Sequence, residues 1–334
     1  DFEGTLVDFQ WQLEPAQAEL KRAFAAQGLA VDGNYAQMWN AAVDRAPGAA
    51  QVHALRAALG PVYDRWDADA LARWAPRAGA AALLQALAAR GVTAAMVSNI
   101  GHSNPAVLDA MRAQMDKSTF GYRLHFQTEN SEKLATKTAA LAPEGLNKVF
   151  FVSGGSEAVE STLKMARQYA MTRGETQRFK VISRYPSYHG CTLGALAITG
   201  YAPMTAPFDP MMQRMPKVPA PRAYLDGLDP QDPSTGLHYA NMLEAKILEE
   251  GPETVLAFIV EPVGGASTGA LVPPVGYLKR IREICTQYGV LLIHDEVMTG
   301  GGRTGRFFGA EHWDVTPDLI SISKGFGGGY VPLG

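Results

Sequence analysis

Six consecutive apolar residues, Val255-Leu256-Ala257-Phe258-Ile259-Val260, run straight into a carboxylate at Glu261. A run with no polar interruption predicts a strand covered on both faces, as in a parallel sheet enclosed by helices. The surrounding sequence keeps this pattern. Residues 148–152 predict a buried strand, 180–183 a short one, and 290–293 and 319–323 two more. Between them lie helical stripes. Val159, Leu163, Ala166 and Ala170 share one helix face, as do Tyr277, Ile281, Ile284 and Tyr288, the latter with Pro274 ahead and Gly289 behind. The alternation predicts an α/β fold with a mostly parallel sheet flanked by helices. Residues 201–241, rich in Pro, Asp and Met, predict a long irregular excursion.

In such sheets ligands bind beyond the carboxyl ends of the strands. Strand 148–152 leads into Ser153-Gly154-Gly155-Ser156-Glu157 before a helix, either a phosphate cradle or a plain glycine turn with Ser156 as cap. The next strand leads to Tyr188, which either stacks on a planar ligand or closes the core. Glu261 and Asp295 follow buried aliphatic runs, where a carboxylate is costly unless a cation meets it; a structural ion pair is the competing reading. Lys324 follows the last strand, and desolvation there would depress its ammonium pKa and make it a nucleophile. Taken alone, it could equally be a solvent-exposed lysine before a glycine loop. Together the four elements match pyridoxal 5′-phosphate, which needs a bonding lysine, a carboxylate for its ring nitrogen and an anchored phosphate.

Composition narrows the alternatives. With 47% apolar and 19% charged residues among 334, a sizeable buried core is expected. A net charge of −3 gives no general attraction to nucleic acid or to an anionic membrane. The Ala-rich stretch 78–97 is broken by Gln85, Arg90 and Gly91, so it does not predict a membrane span. Cys191 and Cys285 show neither metal-ligand spacing nor a disulfide framework, and the cytoplasm is the expected compartment.

Residues 99–334 resemble a class III aminotransferase of fold type I. The resemblance rests on Asn99-Ile100-Gly101-His102-Ser103-Asn104-Pro105, FVSGGSEAVESTLKMAR from Phe151, Tyr188-His189-Gly190, IVEPVG from Ile259, LIHDEV from Leu292 and ISISKG from Ile320. It implies that Lys324 forms the Schiff base with pyridoxal 5′-phosphate and shuttles the substrate proton. Asp295 would pair with the ring nitrogen, Val297 and Tyr188 would cover the two ring faces, and Gly155 and Ser156 would bind the phosphate. Glu261 would stand near the ring as a supporting carboxylate. The implied reaction moves an amino group from a small-molecule donor to a 2-oxo acid, in a homodimer. Relatives working through glutamate often read Gln-Gly-Glu where this chain has Gly264-Gly265-Ala266, which tilts the donor toward an amine or ω-amino acid.

Residues 1–98 instead resemble the N-terminal part of a haloacid-dehalogenase-type phosphohydrolase, a partial Rossmann-like segment with a helical cap. The resemblance lies in Asp1-Phe2-Glu3-Gly4-Thr5 and in a strand 92–97 ending in Ser98. It implies Asp1 as nucleophile and Ser98 as phosphoryl ligand, with Glu3 where the family more often carries Asp. The chain opens without Met and stops at Gly334. The sequence therefore predicts an incomplete aminotransferase domain joined to a partial second family near residue 99. A phosphohydrolase acting through Asp1 and a non-catalytic chimeric fragment are the alternatives.

Overall fold

In a computed structural model of the chain, residues 7–8, 12–33, 38, 41–42, 49–72, 75–76, 82, 85–86, 89, 104–122, 125–265 and 267–334 are described. The chain divides into two units, Asp1–Ala94 and Ala95–Gly334.

In the first unit, strand β1 (Val7–Asp8) pairs antiparallel with β2 (Ala75–Pro76). Helix α1 (Leu13–Ala26) turns Ala16, Leu20 and Phe24 inward at four-residue spacing, and Leu20 and Phe24 pack with Leu55 and Leu59 of α2 (Ala49–Ala72). Glu19 on α1 holds both Arg65 and the indole N–H of Trp66 on α2. The predicted strand 92–97 and the residues Asp1, Glu3 and Ser98 lie outside the described residues.

The second unit carries the sheet. After α3 (Pro105–Lys117), α4 (Glu129–Leu141) and α5 (Gly155–Thr172) come β3 (Lys180–Tyr185), the short helix α6 (Leu193–Ile198) and β4 (Lys217–Pro219). Helix α7 (Pro233–Glu250), β5 (Val255–Val260), α8 (Tyr277–Tyr288), β6 (Leu291–Asp295) and β7 (Leu319–Ser321) follow. The order across the sheet is β4-β3-β5-β6-β7, and every pairing is parallel.

All six residues of β5 are buried, as the unbroken apolar run predicts for a strand covered on both sides. Phe258 and Val260 point to α7 and α8, meeting Leu243, Ile247, Ile281 and Ile284. Ala257 and Ile259 point the other way, to Val159, Ala166 and Ala170 of α5 and Ile198 of α6. Each large aliphatic side chain buried this way stabilises the fold by roughly 1.5–3 kcal/mol relative to exposure. Gly289 ends α8 at φ 63°, a left-handed turn that glycine adopts without steric cost.

Three expectations need correction. Residues 148–152 form no strand: Val152 exchanges two 2.9 Å backbone hydrogen bonds with Gly334, and Phe150 is 47% exposed. A single rung is not a ladder, so the apolar run is extended but not enclosed. The excursion 201–241 holds more order than its composition suggests, with a helical turn at Ala202–Thr205, the strand β4 and the start of α7. Asp232 caps α7 by accepting from the Ser234 N–H at 2.8 Å, and Pro233 fits the first turn, where no N–H is needed. The predicted strand 319–323 stops at Ser321, because Ser323 and Lys324 turn out of the ladder into a short 3₁₀ turn.

Candidate active site

The parallel ladder brings the carboxyl ends of β3, β5, β6 and β7 to one edge of the sheet, and the N-terminus of α5 meets them there. A cleft of about 150 Å³ opens at this edge. Gly155, Ser156, Tyr188, Glu261, Asp295, Val297 and Lys324, the seven residues singled out in the sequence, all line it. His189, Gly190, Met298 and Ser323 complete the wall.

Asp295 is the last residue of β6 and is buried. Its Oδ1 accepts from the Val297 N–H at 3.1 Å, and its Oδ2 lies 2.8 Å from Nδ1 of His189. Glu261 follows β5, also buried. One of its oxygens accepts from the Gly265 N–H at 3.1 Å, and the other, Oε2, has no hydrogen-bond partner. That oxygen stands 3.7 Å from the buried Arg184 guanidinium, close enough for attraction and too far for a hydrogen bond.

Lys324 adopts φ 48°, a left-handed conformation that is uncommon for a residue with a side chain. The residue is exposed at the mouth of the cleft. Loss of water around its amine nevertheless holds the pKa below the ordinary lysine range. Asp295 and Glu261 pull it back up, and Arg303 pushes it further down. The Tyr188 hydroxyl shifts the other way, raised first by burial and then by Cys191 and Asp295.

At the start of α5 the cap residue, Gly154, offers no side-chain acceptor, so the first-turn N–H groups lack both intrahelical and capping partners. Gly155 is tightly packed: a Cβ there would lie 2.8 Å from Val297 Cγ1. Ser156 is already oriented, its hydroxyl accepting from the Cys191 N–H at 3.0 Å. Gly190, at φ 144°, passes so close that a Cβ would meet Ser156 Oγ at 2.7 Å.

These groups fit pyridoxal 5′-phosphate on their own chemistry. A helix N-terminus with free N–H groups suits a phosphate. A buried carboxylate suits a ring cation. The lysine with lowered pKa suits an aldehyde, and the orphaned Glu261 oxygen calls for a donor.

Glu296, next along the chain, faces away from the cleft. Its carboxylate accepts from the Gly309 and Ala310 N–H groups at 2.8 Å each and from the Thr299 hydroxyl, tying down the loop that leads out of β6. Burial raises its pKa despite those donors. His189 was not assigned a role from sequence; it stood in the quoted Tyr188-His189-Gly190 stretch, but residue order does not reveal which side chain turns toward a distant carboxylate. The phosphohydrolase residues Asp1, Glu3 and Ser98 lie outside the described residues.

The sequence pattern described as aminotransferase class-III matches residues 91–334. A putrescine–pyruvate aminotransferase of Pseudomonas aeruginosa is 40% identical over 238 residues, covering 71% of this chain and 52% of that protein. An uncharacterized aminotransferase, YodT, of Bacillus subtilis is 39% identical over 243 residues, covering 73% and 54%. The crystal structure of an (S)-enantioselective omega-transaminase from Thermomicrobium roseum superposes with a TM-score of 0.67 at 39% identity, covering 70% of this chain and 52% of that one. The chain spans about half the length of the curated relatives it matches.

Proposed function

The chain belongs to the class III aminotransferases, whose cofactor is pyridoxal 5′-phosphate, and on that premise we propose that it moves an amino group from an amine or ω-amino acid to a 2-oxo acid through Lys324. The observation that carries this reading is the meeting of Lys324, Asp295 and the first turn of α5 on one cleft.

Pyridoxal 5′-phosphate, when bound, supplies an aldehyde for amine capture and a ring that takes up electron density as the substrate's α-proton leaves. The chain supplies the rest. Lys324 Nζ, whose pKa desolvation lowers, is the nucleophile and then the proton carrier. Two groups hold the oxygens of Asp295, the Val297 N–H and the His189 ring, and the carboxyl faces the cleft as the partner for a ring cation. Gly155, Ser156 and the N-terminus of α5 hold the phosphate. Val297 and Tyr188 form opposing walls that exclude water from the ring. Glu261 Oε2 accepts from a polar substituent of the bound cofactor or substrate.

The donor class is read from the loop after Glu261. A Cβ at Gly264 would lie 2.1 Å from Thr268 Oγ1, and the Gly265 N–H is spent on Glu261. A Gln-Gly-Glu stretch would require this loop to rearrange. The similarity to a putrescine–pyruvate aminotransferase supports a terminal amine as donor and pyruvate as acceptor. A homodimer and a cytoplasmic location belong to the same proposal. The location is supported by Cys191 and Cys285 being unpaired. Among the described residues no helix is long and apolar enough to cross a membrane.

For the first unit, descent from a haloacid-dehalogenase-type segment is proposed on its sequence resemblance alone. No phosphohydrolase activity is assigned to it, since the family match and the relatives support transamination.

The test is a half-reaction. The chain is loaded with pyridoxal 5′-phosphate and mixed with putrescine, β-alanine or L-glutamate. Loss of the visible cofactor band with putrescine or β-alanine, and its return on adding pyruvate, is expected. Bleaching by glutamate alone would overturn the donor assignment, and no bleaching by any donor would overturn the activity.

A further inference from the structure

We propose that His189 is a positioning residue that fixes the carboxylate of Asp295 for the cofactor, an inference that rests on the aminotransferase reading of the cleft. Asp295 ends β6, His189 lies in the loop that follows β3, and both side chains are buried. Nδ1 of His189 and Oδ2 of Asp295 stand 2.8 Å apart, with no other hydrogen bond to either atom. The other carboxylate oxygen is held by the Val297 N–H. Two donors at right-hand and left-hand oxygens define the plane of the carboxylate, where either alone would leave it free to rotate about Cβ–Cγ.

The histidine is itself held. Its backbone N–H donates to Thr199 Oγ1 at 3.0 Å, and that hydroxyl donates to the Ala195 carbonyl at 3.0 Å in the last turn of α6. The positioning chain therefore runs from α6 through Thr199 and His189 to the end of β6. At Gly190, the next residue, a Cβ would meet Ala195 and Ser156 at 2.7 Å each, so only glycine fits beside His189. A carboxylate accepts and does not donate, so Nδ1 must carry the hydrogen. The other ring nitrogen, Nε2, is buried without a partner on the cleft wall. Leaving a buried ring nitrogen unpartnered is costly unless the ring is held there for another reason. Holding Asp295 is that reason.

The tautomer can be read without the cofactor. ¹⁵N-resolved NMR of the histidine side chains in the cofactor-free chain should show His189 protonated at Nδ1. A ring without hydrogen on Nδ1 would overturn the proposal whether or not the chain binds pyridoxal 5′-phosphate. The second arm measures cofactor affinity in variants. His189→Phe keeps the ring volume and removes the donor, and it should weaken pyridoxal 5′-phosphate binding about tenfold, the scale of one hydrogen bond to a charged group. His189→Asn places an amide N–H near the Nδ1 position and should restore most of the affinity. In Asp295→Asn the effect of His189→Phe should nearly vanish, because the histidine acts through that carboxylate. Equal losses in the Phe and Asn variants, or a Phe effect undiminished in Asp295→Asn, would show a packing role instead. Wild-type binding through Lys324 is measured beside them, so failure of the aminotransferase reading is distinguished from failure of this one.

Discussion

At the scale of single residues, the site works by opposing burial with specific partners. Asp295 has two donors, Glu261 has one donor and a distant cation, and Lys324 has two carboxylates that only partly offset its desolvation. Gly155 is a position in the cleft where one methyl group would be felt. In Gly155→Ala the new methyl meets Val297, so α5 or the loop after β6 must shift. A stability loss of about 1–3 kcal/mol is expected by denaturant unfolding, together with weaker cofactor binding. His294 supplies a pH prediction. It is fully buried, and burial first, then Arg282 and Arg184, lowers its pKa to about 3. The unfolded chain takes up a proton near the ordinary value of about 6.5. Its contribution to stability is therefore complete above that pH and is lost as pH falls toward 3. Urea unfolding at pH 7.5 and 5.5 should show a smaller loss in His294→Leu than in the wild type; equal losses would contradict the assignment.

At the scale of elements, what was legible in sequence followed from one-dimensional pattern. β5, β6 and the stripes of α5 and α8 could be read because burial on two faces, or on one helical face, writes itself into spacing. β4 could not, since three residues including a proline at an edge carry no such signature. Residues 148–152 were misread because an apolar run states that a segment prefers burial, not that a neighbour is present to provide it. In the site, the residues directly following strands were visible, while His189 was not, because its contact with Asp295 spans 106 positions. Two glycines test the helices. Gly60 lies inside α2 directly before Pro61, whose ring crowds a Cβ on the preceding helical residue and offsets the usual gain, so Gly60→Ala should change stability by less than about 0.5 kcal/mol. Gly236 lies inside α7 with Val275 O only 2.0 Å from that point, so Gly236→Ala should cost about 3 kcal/mol. Thermal unfolding of the pair checks the contrast.

At the scale of the whole chain, family membership and the sheet belong to the second unit, and the cofactor cleft lies wholly within it. A ligand that binds only the folded form stabilises by mass action, about 2.7 kcal/mol at a hundred times its Kd. Added pyridoxal 5′-phosphate should therefore raise the unfolding temperature of the second unit, and calorimetry would register it as a shift of that unit's transition. The account stands on a covalent bond at a single amine. Pyridoxal 5′-phosphate added to the chain, reduced with borohydride and followed by peptide mass mapping should leave one stoichiometric pyridoxyl adduct on Lys324. That adduct should be absent in Lys324→Ala. Reduction products spread over surface lysines, or an adduct that survives in Lys324→Ala, would contradict it.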